Sequence, residues 1–140
     1  AIIHTSSNTL IKGCSNTTIP NTVTAIAIYA FHRCSFTTIS IPNSVWIIAS
    51  EAFKDCSSLT SITIPNSVTM MGFGVFSGCS SLTSINFSSG VTSIGNQAFN
   101  NCLSLTSITC YATTAPTFGY NAFKNLSSSG TLRVPQGSDY

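Results

Sequence analysis

Residues 41–63 read IPNSVWIIASEAFKDCSSLTSIT, and residues 64–86 read IPNSVTMMGFGVFSGCSSLTSIN. Both open on Ile-Pro-Asn-Ser-Val, both place a Phe three residues before a Cys, and both close on Ser-Ser-Leu-Thr-Ser-Ile. The same unit recurs outward in both directions. It reads IPNTVTAIAIYAFHRCSFTTIS over 19–40 and FSSGVTSIGNQAFNNCLSLTSIT over 87–109, and it degenerates to CYATTAPTFGYNAFKNLSSSGTLR over 110–133. Four residue columns keep this register: Phe31, Phe53, Phe76, Phe99 and Phe123; Val23, Val45, Val68 and Val91; Ile39, Ile62, Ile85, Ile108 and Leu132; Ile19, Ile41, Ile64, Phe87, Cys110 and Val134.

A unit of 22 to 23 residues is too short to bury its own apolar side chains. Stacking solves the problem by setting like residues over like, about 4.8 Å apart, so that the columns fuse into one core. The chain is therefore expected to be a single solenoid domain over 1–140. Residues 1–18 form a hairpin-like lead-in around Ser6-Ser7-Asn8, 19–109 four repeats, and 110–140 a degenerate terminal repeat. Within a unit, Ser61-Ile62-Thr63-Ile64 alternates polar and apolar, which predicts a short strand with one buried face. Its equivalents then stack beside it as a parallel sheet. Pro20, Pro42, Pro65 and Pro135 follow the strands, where a missing N–H does no harm. The segment around Ala52, Phe53 and Cys56 predicts one short helical or 3-10 turn per coil. The fold class expected is β-rich α/β.

Composition supports this reading. Apolar residues make up 43% of the chain, enough for a core, while charged residues make up only 6%. The 24 Ser and 19 Thr supply the polarity instead, which suits strands and turns better than helices. A net charge of +2 is too weak to gather nucleic acid through its phosphates. No apolar run approaches the ~18 residues of a membrane span.

The pattern IPNSVTxIgxxAFxxCxSLTSIT, clearest at 41–63, 64–86 and 87–109, resembles the BspA-like leucine-rich-repeat family, and the resemblance covers about 19–134. It implies a solenoid and a surface or secreted protein of host-associated bacteria. It also implies adhesion to a protein partner, either a host matrix protein or a cell-surface protein. The Leu59, Ile62 and Ile64 spacing fits the general leucine-rich repeat. The next apolar residue, Val68, arrives one position early, so short turns rather than full helices are expected.

Six cysteines invite a metal or disulfide reading. Cys34, Cys56, Cys79 and Cys102, however, occupy one repeat column, and no C-x-x-C pair occurs. They read as small buried thiols filling the turn after Phe. His32 and Cys34, two residues apart, do not make a base and nucleophile with an orienting partner. Glu51 and Asp55 flank Lys54 and read as a solvated turn. No catalytic residue, cofactor site or metal site is expected.

Two surfaces remain as candidates for binding. One is the exposed sheet face, carrying Ser40, Ser61, Thr63, Ser84, Asn86, Ser107 and Thr109. The other breaks the repeat. Ala25, Ile28, Trp46, Ile47, Met70 and Phe73 stand at outward positions where the fourth unit carries Thr92, Ser93 and Asn96. Exposed contiguous apolar surface marks interaction sites, and Trp is a common anchor. The function expected is a non-catalytic protein-binding or adhesion module. The alternatives are a structural spacer or self-assembling element without a ligand, and a carbohydrate-binding accessory domain.

Overall fold

The computed structural model describes residues 1–126 and 130–134; Pro135 and the rest of the tail lie outside them. The chain winds into a β-solenoid of about five turns, and each turn lays down rungs in two sheets. The first sheet opens with a hairpin in which β1 (Ile2–His4) pairs antiparallel with β2 (Thr9–Lys12). It continues in parallel through β3 (Ala25–Ile26), β4 (Ile47–Ile48), β6 (Met70–Met71), β8 (Ser93–Ile94) and β10 (Thr117–Phe118). The second sheet runs from β5 (Ser61–Ile64) through β7 (Ser84–Phe87) and β9 (Ser107–Cys110) to β11 (Thr131–Arg133), all parallel.

The register is that of the repeat. Ile62 pairs with Ile85, Ile85 with Ile108, and Ile108 with Leu132. The Phe column forms the spine of the core. Phe31 and Phe53 stack with ring centres 5.0 Å apart, and the spacing continues at 5.2, 5.6 and 5.5 Å through Phe76, Phe99 and Phe123. Such offset stacking adds to burial rather than replacing it. Phe31, Phe53, Phe76 and Phe99 are fully buried, as is most of the Val column beside them. The lead-in closes the first coil at Gly13, where a Cβ would fall 2.0 Å from the Phe31 ring, so only glycine lets the backbone cross there.

One expectation from the sequence is corrected here. Among the described residues there is no helix and no 3-10 turn in the 50–57 segment or its equivalents. Two residues per coil, four apart, take positive φ and interrupt any helical run: Tyr29 and Arg33, Glu51 and Asp55, Gly74 and Gly78, Gln97 and Asn101, Asn121 and Asn125. The N–H groups between the turn bonds reach the next coil instead. Phe53 N–H donates to Val75 C=O at 2.9 Å and Asp55 N–H to Ser77 C=O at 2.8 Å. The seven-stranded sheet is an element that the sequence reading did not anticipate. Its rungs beyond the hairpin are only two residues long, which leaves no alternation in the sequence to announce them.

Candidate functional site

The first sheet sets three of the six suspected patch residues on consecutive rungs, Ala25 beside Ile47 and Ile47 beside Met70. Ser93 and Thr117 complete that row. Ala25 and Ile47 are half-buried rather than fully outward, and Met70 is 49% exposed. Trp46 precedes β4 and is 54% exposed. It stands in a column otherwise held by Thr24, Thr69 and Thr92. Each threonine hydroxyl donates to a carbonyl one coil back: Thr69 Oγ1 to Trp46 C=O at 3.3 Å, and Thr92 Oγ1 to Thr69 C=O at 3.0 Å. Trp46 keeps its backbone bond to Thr24 C=O at 3.0 Å, but it replaces the hydroxyl rung with an exposed indole.

Ile28 and Phe73, both exposed, lie past the next corner in one column, with Ser50 between them. Two further residues extend this surface. Tyr29 is exposed beside Ile28, and Tyr120, 75% exposed, continues the Ile28, Ser50, Phe73, Asn96 column into the last coil. The register follows from Gly95 N–H donating to Met71 C=O and Gly119 N–H to Ile94 C=O. Tyr120 was hidden in the sequence by the degeneracy of that coil, although its distance from Asn96 would have revealed it.

Four of the eight charged residues, Arg33, Glu51, Lys54 and Asp55, gather at the first two turns. Lys54 is paired with Glu51, which also accepts from Tyr29 Oη at 3.1 Å, and Arg33 lies 3.7 Å from Asp55. The Lys54 ammonium holds the Glu51 carboxyl below the usual carboxylate range, with Tyr29 assisting, and Glu51 in turn raises Lys54. His32 packs its ring edge-on against Tyr29 at 5.5 Å. It is half-buried. Cys34 Sγ points away from it, to Gly13 C=O at 3.7 Å.

The remaining column cysteines act in the core. Cys56, Cys79 and Cys102 donate their thiols to the carbonyls of Phe31, Phe53 and Phe76, each one coil back, at 3.0 to 3.1 Å. Among the described residues no group of three or more His, Cys, Asp or Glu is placed to hold a metal ion.

The second sheet brings six of its seven suspected contact residues onto two rows. Ser61, Ser84 and Ser107 are consecutive rungs, as are Thr63, Asn86 and Thr109. Ser40 lies one coil earlier, outside the strands of that sheet.

The stacked Phe column, two parallel ladders and a 23-residue register converge on one assignment. The profile of the BspA type leucine rich repeat region matches six copies across residues 7–129. The chain belongs to the BspA-type leucine-rich-repeat family. A leucine-rich repeat protein of T. pallidum is 29% identical, with a TM-score of 0.67 over 78% of this chain and 52% of its own. One from Eubacterium ventriosum is 21% identical, with a TM-score of 0.59 over 96% of this chain and 51% of its own. A leucine rich cell surface protein of Faecalibacterium prausnitzii is 24% identical, with a TM-score of 0.54 over 99% of this chain and 52% of its own. The chain therefore spans about half the length of these solved structures. No curated protein matches it.

Proposed function

We propose that this leucine-rich-repeat chain is a non-catalytic, protein-binding module of a bacterial surface or secreted protein, and that it engages its partner through the patch centred on Trp46. The observation that carries the reading is the exposure of Trp46, Met70, Ile28 and Phe73 on one flank of a rigid ladder. A repeat needs none of these side chains to fold, because Thr92, Ser93 and Asn96 serve at the equivalent positions. Large apolar groups kept in water at positions that tolerate Thr and Asn point to a partner that covers them. The charged turn beside Tyr29 supplies a polar rim, the arrangement that protein interfaces favour. The surface location is supported by the name of the F. prausnitzii relative, which is described as a cell surface protein.

The test is saturable binding of solubilised host matrix proteins to the immobilised chain, with Trp46→Thr as the comparison. Thr is the residue of the neighbouring coils and supplies the missing hydroxyl rung, so the fold is retained. A Trp anchor costs about 2 kcal/mol or more on removal, roughly a thirtyfold loss of affinity. Equal binding by both proteins would refute the patch. If no matrix protein binds and light scattering shows Trp46-dependent dimers, the self-assembling alternative replaces the adhesive one.

A further inference from the structure

The column Ile28, Ser50, Phe73, Asn96, Tyr120 alternates in size. Ile28, Phe73 and Tyr120 are large and exposed, and the coils between them carry the shorter, polar Ser50 and Asn96. Backbone pairing fixes the five residues as successive rungs. Ile26 pairs with Ile48, two residues before Ile28 and Ser50. Glu51 N–H donates to Phe73 C=O at 2.8 Å, Gly74 N–H to Asn96 C=O at 2.9 Å, and Gln97 N–H to Tyr120 C=O at 3.0 Å. The core does not require the alternation, because none of the five side chains belongs to it. Coils lie about 4.8 Å apart, so the large side chains recur about every 9.6 Å along the solenoid axis, with a dip between each pair.

A partner chain lying along this row has to present side chains at the same interval. A polyproline II chain rises ~3.1 Å per residue with three residues per turn, so one face returns every ~9.3 Å. Across the roughly 19 Å from Ile28 to Tyr120 it stays in step with the row. A β-strand returns to one face about every 6.7 Å and falls out of step at once. An α-helix, with a pitch of about 5.4 Å, brings side chains to every coil, Ser50 and Asn96 included, and its carbonyls are already used. A polyproline II backbone makes no internal hydrogen bonds, so its carbonyls need donors. The intermediate coils supply them through the Ser50 hydroxyl and the Asn96 amide, whose Oδ1 accepts from Tyr120 N–H at 2.8 Å while its own N–H groups remain to donate. Charge agrees with this. Every residue of the row, and of the Trp46 column across the corner, is uncharged. The charges nearby are paired with one another, Glu51 with Lys54 and Arg33 with Asp55. A proline-rich chain brings no charge to such a surface, and apolar rings are what polyproline II segments dock against.

We infer that the row Ile28, Phe73, Tyr120 docks a proline-rich polypeptide segment in the polyproline II conformation, running along the solenoid axis. The inference rests on the reading of this flank as a protein-binding surface and names the partner's chemistry. The probe is decaproline, with a Gly-Ser repeat peptide of the same length as comparison. Binding is read from NMR backbone amide shifts at residues 28, 50, 73, 96 and 120, with 107–109 on the other sheet as the internal reference. Decaproline should give saturable shifts confined to the row, and the Gly-Ser peptide none. Phe73→Ser, which copies the residue one coil back, should lower the affinity about tenfold. Ser50→Phe combined with Phe73→Ser keeps every side chain of the row but moves the ring one coil out of step. That double variant should bind no better than Phe73→Ser alone. Absence of decaproline binding, shifts located elsewhere, equal binding of the two peptides, or undiminished affinity in either variant would each overturn the inference. If the double variant does not fold, Phe73→Ser and the Gly-Ser peptide decide. A matrix protein whose binding falls on Trp46→Thr, together with no binding of decaproline, removes this inference and leaves the protein-binding surface standing.

Discussion

Cutting Phe76 back to alanine removes the middle ring of the spine, and the cost can be worked from its surroundings. Phe76 is fully buried and stacks on both sides, against Phe53 at 5.2 Å and Phe99 at 5.6 Å. A core Phe→Ala change costs about 3–5 kcal/mol, and the two stacked neighbours, each contributing roughly 0.5–1.5 kcal/mol beyond burial, place this site at the upper end. Phe123 provides the control. It is half-buried, and the spine continues from it on one side only, toward Phe99 at 5.5 Å. Phe123→Ala should cost about half as much by the same reasoning. Urea unfolding, followed by far-UV circular dichroism and by the single Trp at position 46, reads both variants. With a slope of about 1–3 kcal/mol per molar, Phe76→Ala should lower the midpoint by about 2 M or more. Because coils contact only their neighbours, it should also uncouple the two halves, so that the Trp46 signal and the dichroism no longer coincide. A cost below about 1 kcal/mol for Phe76→Ala, or an equal cost at Phe123, would refute the stacked-core account.

Three further outcomes follow from the same geometry. Burial pushes the Cys102 thiol up to about 12, whereas hydrogen bonds from Thr17 and the Asn16 backbone hold the exposed Cys14 below the ordinary thiol value. Timed iodoacetamide labelling with peptide mapping should therefore modify Cys14 first and Cys102 only on global unfolding; early labelling of Cys102 would contradict its burial. An unfolded thiol ionises near pH ~8.5, so the Cys102 contribution to stability is complete below that pH and is lost as pH rises toward 12. The urea midpoint should fall across that window. Gln97 holds a φ of 55° in the column where Gly74 already stands, so Gln97→Gly should relieve about 1 kcal/mol of left-handed strain and raise the melting temperature by a few degrees. A lower melting temperature would show that the side chain, and not the backbone, matters there.

The solenoid was legible because its signal is repetition. Phe, Val and Ile recurring at one interval leave a chain with so few charges a single way to bury them, and the Cys column declared itself structural by keeping the same interval. The candidate patch was legible for the opposite reason: Trp46, Met70 and Phe73 break a pattern that Thr92, Ser93 and Asn96 keep. The tertiary structure decided the rest. Ala52, Phe53 and Cys56 sit where a helical turn is plausible, yet Glu51 and Asp55 adopt positive φ and the intervening N–H groups bond one coil onward. The seven-stranded sheet and the half-burial of Ile47 have the same origin. Side-chain periodicity along the chain reports which residues seek the interior. The partner of each backbone N–H lies about 23 residues away, and that choice is made only when one coil is laid on the next.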